Sequence, residues 1–526
     1  MSKRFPGRKL SVVRLCAVIV VFAVAVGGGI FGWNRFQDAQ AAAEAPSTFA
    51  GYVDVTATPS YAFEAPTTAQ TKSVVLSFIV ADKTDPCVPS WGGAYSLAAA
   101  GQDLDLDRRV ARLGQVGGHV AVSFGGMAND ELAVDCSDTG KLQSAYAEVV
   151  DRYSLDTIDL DIEGTALDNV PSIERRAAAI AALQKKQLDA KKPLAVWITL
   201  PVAPTGLTAQ GTAAVDKMLA AGVDLAGVNI MTMDFGGSKP AGQTMLAASI
   251  SAAKATQLQI SQLYKNHGQP LGTEMSWRKI GLTPMIGQND VVDEVFGVTD
   301  AQGLHAFAQE KGVGRVSMWS LNRDATCSEN YPDLTRVSDS CSGIDQGGNL
   351  FSTVLGQGLA DAPSAVPSAK APATADDATA TAVVDNPSTS PYPIWNEVAA
   401  YVAEDRVVWQ GNVYEAKWWT QGDIPDNPVV AGGTAPWKLI GPVLPGDRPS
   451  PAVTVPAGTF PQWVETTVYH QGDRIMFDGH VFEAKWWTRM DSPEAAIQGS
   501  PDSPWRMLKN DAVQQLLASK SPTAAK

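Results

Sequence analysis

The chain has 526 residues, with 41 Lys and Arg against 55 Asp and Glu, and a formal net charge of −14. That length calls for several domains, and a hydrophobic fraction of 45% excludes wholesale disorder. The acid excess argues against nucleic acid as a partner, because such a binder needs Lys and Arg to displace counterions from phosphates. Five His without ligand spacing, and no HExxH, CxxC or Walker-type phosphate loop, set aside zinc peptidases, zinc fingers and P-loop enzymes. No metal and no cofactor is expected.

Lys3, Arg4, Arg8, Lys9 and Arg14 precede an uncharged apolar run from Leu15 to Trp33. The pattern predicts that residues 1–45 are an export signal with its basic end held inside. Two outcomes fit. One is a cleaved signal peptide, with Ala39-Gln40-Ala41 as the cleavage site. The other is a retained N-terminal membrane anchor, since the run reaches the ~18 residues that can span a bilayer. Either way the rest is expected to be extracellular, secreted or held on the outer face of the cell membrane. Outside the apolar run four cysteines remain: Cys87, Cys136, Cys327 and Cys341. An even count in an oxidising compartment predicts two disulfides. The pairing is open; Cys87–Cys136 with Cys327–Cys341 is favoured because each bond ties a loop locally.

Residues 46–356 alternate apolar β-branched runs with helix-capable stretches. Strands are predicted at 51–56, 73–80, 119–124, 155–163, 193–200, 225–233, 280–286 and 314–320, with helices such as Leu142–Tyr153 and Ile173–Leu188 between them. Eight strand–helix units in this length predict an α/β fold, a (β/α)8 TIM barrel. An open doubly wound sheet would show a glycine fingerprint after its first strand, and none is present. Chemistry in such barrels sits at the C-terminal ends of the strands.

The fourth strand reads Leu155-Asp156-Thr157-Ile158-Asp159-Leu160-Asp161-Ile162-Glu163-Gly164. Side chains alternate faces along a strand, so Asp159, Asp161 and Glu163 share one face and Ile158, Leu160 and Ile162 the other. Three acids therefore point into the barrel. They cannot all ionise cheaply, so protons are shared and at least one pKa rises. Glu163, at the rim, is best placed to be a neutral acid near pH 6–7. The rival is a divalent cation held by the three carboxylates.

Asp156-x-x-Asp159-x-Asp161-x-Glu163 resembles the DxxDxDxE signature of family 18 glycoside hydrolases, the chitinase family. Ser123-Phe124-Gly125-Gly126 resembles that family's SxGG. Met231-Thr232-Met233-Asp234 resembles its MxYD, with Met233 where the family has a tyrosine that contacts the substrate acetamido group. Trp319 matches the tryptophan at the floor of its sugar site. The resemblance implies a retaining, substrate-assisted mechanism on β-1,4-linked N-acetylglucosamine polymers. By that resemblance Glu163 is acid and base, Asp161 stabilises an oxazolinium intermediate, Asp159 shares a proton with Asp161, and Asp234 binds the acetamido group or the distorted sugar. Trp319, Met231, Met285, Gln288, Asn289, Ser123 and Gly125 are expected to line the substrate site. Chitin and chito-oligosaccharides are the expected partners, and a monomer the expected state.

Residues 357–392 hold almost only Ala, Pro, Ser, Thr, Asp and Val, a linker composition. Nine of the fourteen Trp follow residue 390, in two aligned blocks, 393–441 and 461–510, joined by a second linker at 442–460 and followed by a tail at 511–526. The blocks share Asp-Arg, a turn at Gln410-Gly411 or Asp478-Gly479, then Ala-Lys-Trp-Trp-Thr and a late Pro-Trp. Two small all-β modules are predicted, each with a hairpin turn at those dipeptides. Adjacent Trp on a strand face opposite ways, so one of each pair is expected in the core and one outside. The Ala-Lys-Trp-Trp segments resemble family 5/12 carbohydrate-binding modules. By that resemblance Trp418, Trp419, Trp437, Trp486, Trp487 and Trp505 are the chitin-binding candidates.

Overall fold

The computed structural model describes residues 46–328, 337–360, 385–426, 435–448 and 455–508 (with breaks at 457 and 498–502), and the short pieces 512–513 and 516–517. The predicted export segment lies outside the described residues, as do most of the 357–392 linker and much of the C-terminal tail. Among the described residues no helix is long and apolar enough to cross a membrane.

Two units divide the chain, 1–369 and 370–526. The first is built on eight strands. They are β1 (Gly51–Asp54), β2 (Ser73–Ala81), β3 (His119–Gly125), β4 (Thr157–Asp161), β5 (Ala195–Ala203), β6 (Leu225–Met231), β7 (Ile280–Thr283) and β8 (Arg315–Val316). Consecutive strands pair in parallel around the series. The ring closes where Thr48–Phe49, leading into β1, pairs in parallel with β8. The amides of Ala50 and Tyr52 then donate to the carbonyls of Val316 and Met318, each at 3.1 Å. All eight predicted strands are found, several shorter at their C-terminal ends because the chain leaves the ladder to form the rim.

Helices α1 (Leu106–Gln115), α2 (Thr139–Arg152), α3 (Val170–Asp189), α4 (Ala209–Ala220), α5 (Met245–Asn266), α6 (Val298–Lys311) and α7 (Phe351–Gly356) follow strands β2 to β8 in turn. Their starts are written in the sequence. Asp138, Asn169, Thr208 and Thr244 each accept a backbone N–H of the first turn, satisfying a donor the helix itself leaves open. The main core fills the space between sheet and helices and includes Ile158, Leu160 and Ile162 of the β4 segment. The acids on the opposite face of that segment therefore look into the barrel.

Two disulfides tie rim loops, Cys87–Cys136 after β2 and β3, and Cys327–Cys341 after β8. This is the favoured local pairing.

In the second unit two three-stranded antiparallel sheets repeat the same plan. The first is β9 (Arg406–Trp409), β10 (Asn412–Ala416) and β11 (Trp437–Pro442). The second is β12 (Arg474–Phe477), β13 (His480–Ala484) and β14 (Trp505–Met507). Gln410-Gly411 and Asp478-Gly479 turn the hairpins with positive φ at both positions, 49° and 73° in one and 45° and 78° in the other. Two left-handed residues give the turn whose twist matches that of the flanking strands.

Candidate active site

A cleft of about 340 Å³ opens at the C-terminal ends of the barrel strands. Its acids are Asp161, Glu163, Asp234 and Asp290. Tyr52, Phe78 and Trp319 give it an aromatic wall, and Met127, Met231, Met233 and Met285 a thioether one. Trp319 stacks on Phe78 with centroids 5.4 Å apart and planes 20° from parallel. A flat, stacked indole beside carboxylates suits a sugar ring, whose C–H face packs on aromatic surface while its hydroxyls find polar partners.

The β4 acids differ by depth. Asp159 is fully buried and accepts hydrogen bonds on both oxygens. Tyr52 and Ser123 donate to Oδ2 at 2.8 and 2.7 Å, and Thr199 and Arg315 to Oδ1 at 2.7 and 3.2 Å. The proton expected between Asp159 and Asp161 is therefore not found as a hydrogen bond: Asp159 has given its lone pairs to other donors. A guanidinium also stands where the rival cation would need a free carboxylate edge. Among the described residues no group of three or more His, Cys, Asp or Glu is arranged to hold a metal ion.

Asp161, one step outward, is buried with its Oδ1 unpartnered. Burial, then Glu163 and Asp159, push its pKa well above the usual carboxylate range, while Arg315 pulls it down. Glu163 follows in extended conformation. Burial, reinforced by the charges of Asp234 and Asp290, raises its pKa to about 7. Loss of water solvation is the dominant cause, as for any carboxyl in a shielded pocket.

The rim is shaped by close backbone approaches. A Cβ on Gly125 would stand 1.9 Å from the Asp161 carbonyl oxygen, and one on Gly126 would stand 2.8 Å from the Phe78 ring. Asp234 follows β6 in a left-handed conformation, φ 47°. Its backbone N–H donates to Asn289 Oδ1 at 3.3 Å, and its Oδ1 accepts from the Val291 N–H at 3.1 Å. Buried Glu294 accepts from the next two amides, Phe235 at 2.9 Å and Gly236 at 3.0 Å.

The sequence-predicted residues thus fall into two groups. Asp161, Glu163, Asp234, Trp319, Met231 and Met285 line the cleft. Asp159, Ser123 and Gly125 lie beneath or behind it. Gln288 and Asn289 do not line it either, contrary to expectation. Both are buried, and Gln288 Nε2 bonds loop carbonyls including Asn289 and Val292, each at 3.0 Å. Asn289 Nδ2 binds the carbonyls of Met285 and Gly287. These two amides hold the β7–α6 loop in shape, a task invisible from their position near a strand end.

The sequence reading misses Tyr52, Phe78, Met127, Thr199, Asp290 and Arg315. For Arg315 a signal existed: a lone cation in the apolar run Val313 to Trp319 implies a buried carboxylate partner.

In the small modules both Trp of each pair are exposed: 44% and 47% for Trp418 and Trp419, 47% and 59% for Trp486 and Trp487. The expectation of one buried and one exposed fails because strands β10 and β13 end at Ala416 and Ala484, before the pair, so strand alternation no longer applies. Lys417 and Lys485 lie over the Trp418 and Trp486 rings, at 5.0 and 4.6 Å. Trp437 and Trp505, expected at the binding surface, are instead core residues. They pack edge-on against Tyr401 and Tyr469 and donate Nε1–H to the carbonyls of Asp423 and Asp491. In the first module Trp395 and Trp409 also pair edge-on.

Residues 394–438 and 462–506 match carbohydrate-binding module family 5/12. Over 254 residues, 47% of this chain, the sequence is 37% identical to a probable bifunctional chitinase/lysozyme of Escherichia coli K12, covering 28% of that protein. It is 36% identical over 263 residues to endochitinase 11 of Metarhizium anisopliae, 48% of this chain and 49% of that one. The chain thus spans half or less of these curated relatives. The catalytic domain of a hyperthermophilic chitinase from Pyrococcus furiosus superposes with a TM-score of 0.50 at 28% identity, over 59% of this chain and 94% of that one. In sequence and in fold the barrel is thus similar to chitinases. Met233, where the family 18 signature has tyrosine, is 8% exposed and lines the cleft.

Proposed function

We propose that this chain is an exported chitinase of the family 18 type that cuts β-1,4-linked N-acetylglucosamine polymers with retention of configuration. Glu163, protonated by virtue of its burial and its neighbours Asp234 and Asp290, gives its proton to the glycosidic oxygen. The substrate's 2-acetamido carbonyl oxygen attacks the anomeric carbon, the leaving sugar departs, and an oxazolinium ion forms. Asp161 orients the acetamido N–H and offsets the positive charge that develops on the ring. Glu163 then takes a proton from water as it opens the intermediate. Met233 supplies no hydroxyl for the acetamido group, so its orientation falls to Asp161 and Asp234. Trp319 stacks beneath the ring.

The paired exposed tryptophans of both modules bind the solid polymer, and two modules on one chain raise the barrel's effective concentration at its surface. The N-terminal basic and apolar segment directs export.

The observation that carries this reading is Glu163: a cleft carboxyl with its pKa raised to about 7, one step outward on the same strand face from buried Asp161. The test is release of sugars from chito-oligosaccharides and colloidal chitin by the full chain, with Glu163→Gln beside it. A fall of about 10²–10⁴-fold in the variant is expected, the contribution a general acid typically makes. Products from Glu163→Gln at the wild-type rate would sink the assignment.

A further inference from the structure

Beneath the cleft lies a charge that the reaction above does not use. Arg315 is 3% exposed, at the start of β8. Its Nη1 stands 3.2 Å from Asp159 Oδ1, its Nε donates to Ser317 Oγ at 2.8 Å, and its Nη2 is buried without a hydrogen-bond partner. The guanidinium also faces the rings of Tyr52 and Trp197, 5.6 and 5.4 Å from their centroids. Each Asp159 oxygen accepts two hydrogen bonds, so a proton placed there would confront a donor with a donor. Asp161 has the opposite surroundings: one oxygen buried and unpartnered, and Glu163 next outward on the same face.

We propose that Arg315 is a positioning residue that holds Asp159 as a fixed anion, so that the proton kept by the barrel's acids stays on the Asp161–Glu163 pair facing the cleft. The proposal rests on the chitinase reading of those two residues. The charged or titratable groups around Asp159 are Asp161 on its own strand, Tyr52 on β1 and Arg315 on β8. The layer is otherwise uncharged: Ser123 from β3, Thr199 from β5, Asn229 from β6 and Thr283 from β7. Without the guanidinium, Asp159 would be a buried unpaired anion and would itself take up a proton. Asp161 would lose the one neighbour that lowers its pKa.

The test is the pH dependence of kcat/KM on a chito-oligosaccharide, using the full chain and the variants Arg315→Gln, Arg315→Lys, Asp159→Asn and Asp159→Asn/Arg315→Gln. Arg315→Gln moves the acid limb to higher pH, and Arg315→Lys leaves it near the wild-type position. Asp159→Asn alone strands a buried cation, so the double variant is more active than that single variant by about tenfold. The proposal is overturned if Arg315→Gln lowers the rate with both limbs unmoved, or if the double variant is simply additive; should Arg315→Gln not fold, the lysine and double variants decide it. A wild-type chain that releases no sugar defeats the chitinase reading alone. The Arg315 assignment is then read from melting temperature: relative to wild type, Arg315→Gln gains stability as pH falls toward 5, and parallel curves would overturn it.

Discussion

The carbonyl oxygen of Asp161 occupies the space where a side chain on Gly125 would begin: an added Cβ would lie 1.9 Å from it. The neighbouring Gly126 amide donates to that same oxygen at 3.0 Å. The two strands are thus locked at the level where β4 turns from buried acids to cleft acids. The glycines of the Ser-Phe-Gly-Gly segment are there for backbone approach, not for sugar contact.

Gly125→Ala is therefore expected to damage the barrel itself. The clash is with backbone, and φ at this position is 110°, where an L side chain is strained. A loss of about 3 kcal/mol or more follows from the two effects together. Thermal unfolding should show it, alongside loss of activity; a wild-type melting temperature would contradict the packing argument.

Glu163 sets two pH dependences. Its pKa of about 7 in the folded chain lies above its ordinary 4.5, so the native state binds more protons than the unfolded one between those values. Its contribution to stability is then fully present at the acid end and is lost as pH rises through about 7. Melting curves from pH 5 to 8 should show the decline, and Glu163→Gln should flatten it. Activity needing the protonated form falls over the same range. Asp290→Asn, by removing a charge that raises Glu163, should move that alkaline limb to lower pH; no shift would deny Asp290 its electrostatic part.

The modules give a clean separation between surface and core tryptophans. Trp419→Ala and Trp487→Ala, made together, should leave the melting behaviour near wild type and reduce retention on insoluble chitin by tenfold or so, as stacked aromatic anchors do. Trp437→Ala should instead unfold its module, because it removes a buried indole and its hydrogen bond to the Asp423 carbonyl, a cost of about 3–5 kcal/mol. Undiminished retention in the first double variant would place the binding face elsewhere.

Glu294 is buried and bonds the Phe235 and Gly236 amides just after Asp234. Glu294→Ala should free that turn, with a loss of about 2–4 kcal/mol from two charge-assisted bonds and a tenfold fall in kcat/KM from misplacement of Asp234. Steady-state kinetics with a parallel melting curve tests both halves. An unchanged kcat/KM would show that Asp234 needs no such clamp.

Much of this molecule is dictated locally, and that part is legible in the chain. Strand alternation places Asp159, Asp161 and Glu163 on one face whatever the rest of the fold does. Apolar runs punctuated by capping residues mark the eight strands and the helices that follow β2 to β8, and Gln410-Gly411 and Asp478-Gly479 specify their own turns. Only the tertiary structure decides the rest, because it depends on which distant groups share one layer. Arg315 meets Asp159 across 156 positions of sequence. Tyr52 and Thr199 close round that same carboxylate from two other strands, and Gln288 and Asn289 turn inward to brace a loop. The tryptophan pairs face outward because their strands end two residues before them, at Ala416 and Ala484, a boundary fixed by pairing with β11 and β14.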